Sequence, residues 1–280
     1  MTNFLYFSPL FWLMMVFTPA VEKEPMTHCG TMKQWANDPE FQAAHLSPEA
    51  SENKDFKGKK IVFSTPDGKE ASGYIIEAKK KSNKWLFVYQ EWWGLNDYIR
   101  TQSDTFYGDL GEEVNVLALD MYDGAVATDA KEAGKLMSEA KDERLENIIK
   151  GALNRIGPKA QVASVGWCFG GGLSLKSGLI SKKQNVGVVM YYGMPVKDVN
   201  QLKTLSSDVL GIFATEQWIS KEVVEEFDKN MKLANKKLTY KIFSGVHGFA
   251  NPSNPKYDKE QTAEAYAMAL NYLKARLKVK

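Results

Sequence analysis

Seven residues, Gly166-Trp167-Cys168-Phe169-Gly170-Gly171-Gly172, constrain this chain more than any others. They follow a short β-type run, Val162 to Val165, and precede a helix-like segment, Leu173 to Ile180. A reactive side chain flanked by glycines two positions away, on a sharp strand-to-helix turn, is a nucleophile elbow, here with cysteine where serine is usual. Small flanking residues keep the strained turn free of clashes and present the thiol at the carboxyl end of a strand. At a helix N-terminus the thiol also feels the positive end of the backbone dipole, which favours thiolate. The plain alternative is a buried cysteine in a glycine-rich turn.

The surrounding pattern supplies the sheet that such a turn needs. β-patterned runs begin at Lys60 to Ser64, Ser72 to Glu77 and Trp85 to Gln90, with Pro66-Asp67-Gly68 as a hairpin signal between the first two. Further strands are read at Asn115 to Leu119, Val162 to Val165, Val186 to Tyr192, Val209 to Ala214 and Leu238 to Phe243. Helical patterns fall at Asp97 to Leu110, Thr128 to Ala140, Asp142 to Ile156, Gly171 to Ile180, Lys221 to Ala234 and Lys259 to Leu277. This alternation implies a mostly parallel, doubly wound sheet with an N-terminal antiparallel hairpin; together with the elbow it resembles an α/β-hydrolase fold. One catalytic domain is expected over residues 55–280, preceded by a polar extension over 22–54 that is loosely packed apart from a short helix near Pro39 to His45. No internal repeat or low-complexity segment interrupts it.

Residues 1–21 differ in kind. Phe4 to Val21 carries no charge and ends at Glu22-Lys23-Glu24. An export signal cleaved near Thr18-Pro19-Ala20 is the favoured reading. A retained anchor would put the protein at a membrane, and a start at Met26 would leave it cytoplasmic; Pro9, Pro19 and the lack of a basic residue before the run keep these alternatives open.

A cysteine nucleophile needs a base, and the chain has three histidines, His28, His45 and His247. The first two lie in the polar lead-in, ahead of the sheet. His247 sits in a glycine-flanked loop, Ser244 to Ala250, between the last strand and the final helix, which is where the order nucleophile, acid, histidine requires it. The acid then lies between Cys168 and His247, beyond a strand. Glu216, after Val209 to Ala214, is best placed to fix the imidazole tautomer. Asp198 and Asp208 are weaker candidates. The loop after the strand ending at Gln90 should donate one oxyanion amide, from Trp92, and the residue after the nucleophile, Phe169, the other. Glu91 then lies near Cys168, where its charge raises the thiol pKa and holds the nucleophile partly dormant. The rim offers Tyr89, Trp93, Tyr122, Trp167, Trp218 and Asn251 as pocket residues.

Taken together, Gln90-Glu91-Trp92-Trp93-Gly94-Leu95-Asn96, Leu119-Asp120-Met121-Tyr122, the cysteine elbow and His247-Gly248-Phe249-Ala250 resemble the dienelactone hydrolases, α/β-hydrolases with a Cys-His-Asp triad, over about Lys60 to Leu277. The resemblance implies Cys168 as nucleophile, His247 as base and Glu91 as the carboxylate touching the resting thiol. Two departures stand out. The acid segment reads Ala214-Thr215-Glu216-Gln217-Trp218, so either Glu216 replaces the family's Asp or Gln217 is its counterpart. The arginines that hold a substrate carboxylate have no match, since Asp123-Gly124 and Asn251 stand in those places. A neutral ester or lactone suits the aromatic rim better than an anionic one.

The expected activity is hydrolysis of a carboxylic ester, lactone or thioester through an acyl-thioester. Acyl transfer by the same triad, and a non-catalytic thiol sensor or ligand binder, remain alternatives. A net charge of +2 from 36 basic and 34 acidic residues gives no case for nucleic-acid binding. Cys29 and Cys168 read as free thiols, since pairing them would silence the nucleophile. No cofactor and no metal is expected, because the histidines and cysteines show no ligand spacing.

Overall fold

The computed structural model describes Met1 and residues 32–45 and 55–280. The apolar run Phe4 to Val21, His28, Cys29 and the remainder of the lead-in lie outside the described residues. Eight segments join one sheet: β1 Lys59–Ser64, β2 Glu70–Ile76, β3 Lys84–Tyr89, β4 Asn115–Leu119, β5 Gln161–Trp167, β6 Asn185–Tyr191, β7 Val209–Ala214 and β8 Leu238–Phe243. Their order is β1-β2-β4-β3-β5-β6-β7-β8. β1 pairs antiparallel with β2, and β2 with β4; every pairing from β4 through β3 to β8 is parallel. The Thr65–Lys69 turn closes the opening hairpin through Thr65 N–H to Lys69 O at 2.8 Å, with Gly68 at φ 76°. This is the expected α/β-hydrolase architecture, with the antiparallel hairpin at one end.

The helices are α1 Pro39–Ala44, α2 Asp97–Asp109, α3 Ala130–Glu139, α4 Asp142–Ile156, α5 Phe169–Ser181, α6 Val199–Leu202, α7 Lys221–Leu233 and α8 Lys259–Leu277. Helices on both faces bury the middle strands completely, as in β4 and β7, whereas edge strands β1 and β8 stay largely open. α6, a single turn too short to show a period, is the element the sequence pattern misses; Asp198 caps it. α5 opens directly after Cys168, earlier than its glycines suggest. Three glycines make a poor first turn, and close packing on β3 and β6 compensates for them.

The lead-in departs from expectation. Met32, Ala36 and Phe41 are fully buried, Asp38 caps α1 by accepting from Phe41 N–H at 2.8 Å, and Lys33 Nζ donates to Asp142 at 2.5 Å. Short helical segments with so few apolar residues give no readable period, so composition alone reads as polar, yet Met32, Ala36 and Phe41 point inward.

Strand order explains the position of the site. β3 lies between β4 and β5, so the chain leaves β3 in one direction and returns across it to β5. At such a switch point the loops beyond the strand ends diverge and leave a crevice. Tyr89 of β3 pairs in register with Gly166 of β5, so Glu91 and Cys168, each two residues further on, leave neighbouring strands side by side.

Candidate active site

Cys168 takes φ 55°, ψ −118°, a backbone region that L-residues avoid. The turn holds because its glycines leave room. A Cβ on Gly166 would stand 2.1 Å from Gly170 O, and one on Gly170 would stand 2.3 Å from Gln90 O. Gly170→Ala therefore forces backbone apart where strand and helix meet, and about 2–3 kcal/mol or more of stability should be lost in urea unfolding. A cost below ~0.5 kcal/mol would show that the turn is looser than described.

Cys168 is 1% exposed, and its sulfur faces the backbone N–H groups of Phe169 and Trp92, the two amides expected to form the oxyanion hole. These amides favour thiolate, but burial, and next the charge of Glu91, outweigh them and raise the thiol well above its usual pKa. Glu91 is itself buried and pushed up to about 7, with the Asn251 amide, which donates to its Oε2, opposing the shift. Glu91→Gln removes that charge, so the midpoint of thiol alkylation against pH should fall; an unmoved midpoint would show that burial alone sets it.

His247 follows β8 in a turn where Gly248 has φ 77°. Thr215 N–H donates to Gly245 O at 3.0 Å and Thr215 Oγ1 to Phe243 O at 2.9 Å, tying the loop after β7 to the histidine loop. With the loops so joined, Nδ1–H of His247 donates to Oε2 of Glu216 at 2.7 Å, both side chains almost wholly buried. Gln217 turns outward and donates to Glu40 at 2.9 Å. Asp208 is held by Tyr272 and Arg276 at the opposite end of its strand. Burial opposes charge on both partners: it lowers His247 to about 3 and raises Glu216, against one backbone N–H from Ile219. Neutral imidazole is thus the resting form.

His45 belongs to the same cluster, and the sequence reading sets it aside. Its ring lies 4.8 Å from that of His247 and 4.7 Å from that of Trp92, centroid to centroid. Its Nδ1–H donates to Phe41 O at 2.6 Å. Burial, and next the charge of His247, lower it to about 3. Nothing local in the sequence marks it; its one hint is the cap-and-helix signal of Asp38-Pro39, which places it at the end of the short helix that they open.

These imidazoles set an acid limit. Each has a folded pKa near 3 against 6.5 for a free histidine, so the unfolded chain takes up more protons as pH falls from 6.5 towards 3, and stability is lost over that window. Glu91 and Glu216 are raised, so their contribution runs the other way, falling as pH rises above 4.5. Below pH 4.5 only the imidazoles among these four groups still differ between the two states. Urea midpoints should therefore drop more steeply with acid for wild type than for His45→Gln; parallel slopes would mean that His45 is charged when folded.

Among the pocket candidates, Trp167 lines a cleft of about 270 Å³ with Tyr191, Ala250 and Tyr266. Asn251 joins Trp167 and Glu91 around a smaller pocket of about 20 Å³ that shares Trp167 and Ala250 with that cleft. Tyr122 stacks on Phe169 at 5.6 Å, and Trp218 packs edge-on to His247. Tyr89 is fully buried with its Cβ against Gly166, and Trp93 is buried beside Trp92; neither lines these two clefts. Arg144, beside Asp123, is occupied by Asp67 and Asp123.

A model of the dienelactone hydrolase family matches residues 71–277. A putative carboxymethylenebutenolidase of Aquifex aeolicus is 25% identical over 224 residues, 76% of this chain and 96% of that protein. Among solved structures, a putative dienelactone hydrolase from Klebsiella pneumoniae superposes with a TM-score of 0.64 at 18% identity, covering 77% of this chain and 98% of its own. A dienelactone hydrolase-like promiscuous phosphotriesterase from metagenomic libraries gives 0.67 at 20%, covering 79% and 99%. The segment carrying Phe41 and His45 lies outside the matched span.

Proposed function

We propose that this chain, which belongs to the dienelactone hydrolase family and is a hydrolase of esters or lactones, works through a covalent acyl-thioester on Cys168. The observation that carries this reading is the convergence of an elbow thiol, two backbone amides and a His247–Glu216 pair at 2.7 Å in one buried place. The resting thiol is protonated, because burial and Glu91 disfavour its anion. As Sγ attacks the carbonyl, His247 Nε2 takes the thiol proton, and the carbonyl electron pair moves onto oxygen. The amides of Trp92 and Phe169 receive that oxyanion. The C–O bond to the leaving group then breaks, and imidazolium returns the proton to the departing alkoxide. Water, deprotonated by His247, attacks the thioester and restores the thiol. Glu216 holds Nδ1–H throughout and stabilises the imidazolium that forms briefly.

The thiol-sensor reading fares worse. Oxidant sensing wants an exposed thiol of low pKa, and Cys168 has neither property. Arg144 is already paired with Asp67 and Asp123 and so offers no clamp for a substrate carboxylate, which favours a neutral substrate.

The test is release of nitrophenol from p-nitrophenyl acetate and longer neutral acyl esters. Wild type should turn them over, and His247→Ala should lose about 10³-fold or more in kcat/KM. Wild type inert across the series, or equal rates for the two proteins, would overturn the reading.

A further inference from the structure

From the placement of His45 we infer that His45, Cys168 and His247 form a binding site for a borderline-soft transition-metal cation, with Zn2+ as the fitting ion. Their donor atoms all lie within 4.8 Å of one another, and all three side chains are buried. Both imidazoles are already turned for ligation. Nδ1 of His247 is engaged by Glu216 at 2.7 Å and Nδ1 of His45 by the Phe41 carbonyl at 2.6 Å. This is the outer arrangement that fixes the tautomer of ligating histidines and leaves Nε2 as a bare lone pair. In both residues Nε2 is buried without a hydrogen-bond partner.

The hydrogen count explains what such a cluster lacks. Two bare imidazole nitrogens and one thiol share a single hydrogen, that of Sγ, which can satisfy only one nitrogen. The other is left as a buried acceptor without a donor. A cation answers all three at once: it replaces the thiol proton, which leaves to solvent, and accepts one electron pair from each donor. Two nitrogens and a thiolate suit zinc and exclude magnesium or calcium, which take oxygen. Zinc bonds of about 2.0–2.1 Å to nitrogen and 2.3 Å to sulfur set tetrahedral donors roughly 3.3–3.6 Å apart. The widest donor pair therefore closes by up to about 1.2–1.5 Å on loading. Phe41, Trp92, Tyr192 and Trp218 surround the imidazoles with aromatic rings, a shell that limits water.

The consequence rests on the hydrolase reading: a loaded site has both nucleophile and base tied up, so zinc holds the enzyme off. The test of the site does not rest on it. Reduced, chelator-stripped full-length protein is titrated with Co2+ and observed in the visible and near ultraviolet. Wild type, with a water as the fourth donor, should develop tetrahedral d–d bands and a thiolate-to-cobalt charge-transfer band at one equivalent, displaced by one equivalent of Zn2+. Cys168→Ser should lose the charge-transfer band. His45→Ala should weaken Co2+ at least about 100-fold, and His45→Cys, which restores a third ligand, should recover most of that loss and guards against a merely misfolded variant. Absence of the charge-transfer band in wild type, or equal Co2+ affinity in wild type and His45→Ala, would overturn the site. Ester hydrolysis in the same samples separates the two readings: an inert wild type that still gives the cobalt spectrum sinks the hydrolase and keeps the metal site.

Discussion

Replacing Cys168 with alanine should lower kcat/KM for activated neutral esters by at least about 10⁴-fold, with the fold unchanged. The residue supplies the bond-forming atom, and what survives its loss is only the rate that oxyanion amides and binding give to attack by water. Serine at the same position should do little better. Its hydroxyl is a weaker nucleophile and would stand in a place shaped by Trp92 and Phe169 amides around a larger sulfur. The side chain sits inside the core, so its removal leaves a small void; a matched urea unfolding curve separates lost chemistry from lost structure. Activity of Cys168→Ala within tenfold of wild type would place the reaction elsewhere.

The second large effect is at Glu216. Its carboxylate is 2.7 Å from Nδ1 of His247, and both lie out of water. Nothing else described is positioned to hold that nitrogen, since Gln217 is engaged with Glu40. Glu216→Gln should cost about 10³-fold in kcat, roughly 4 kcal/mol of barrier. An amide can offer N–H to Nδ1 and so trap the tautomer whose Nε2 bears hydrogen, which cannot accept the thiol proton. KM should stay within a few-fold, because the carboxylate lies on the Nδ1 side of the imidazole and lines neither cleft beside Trp167. A large rise in KM with kcat preserved would make Glu216 a pocket residue and leave the triad without its acid.

Much of this was legible before any coordinates. β4, β7, α4 and α8 run between the residues that their patterns mark, because β4 and β7 are fully buried and α4 and α8 are long; β8, an open edge strand, keeps its marked bounds as well. The elbow was legible because clash-free geometry at Cys168 demands glycine on both sides, and Gly166 and Gly170 have no room for a Cβ. His247 followed from chain order. The choice between Glu216 and Gln217 was not legible: neighbours in a loop point in different directions, and only the Thr215 links that join two loops decide which one reaches the imidazole. Tyr89 shows a related effect. A residue at the end of a strand is near the rim, but strand parity sends its side chain into the packing beneath. His45 was invisible because its importance comes from one docked helical turn whose contacts, with Trp92, Trp218 and His247, are all distant in sequence.

The central claim is a covalent acyl-thioester, and the most direct measurement is its capture. Enzyme mixed with p-nitrophenyl acetate, quenched in acid during the burst and digested, should yield a single acetylated peptide, the one containing Cys168, and hydroxylamine should remove the acetyl group. Glu216→Gln should accumulate the same adduct more slowly. Turnover with no acetyl group on Cys168, or with the acetyl group on another residue at the level of the burst, would contradict the account.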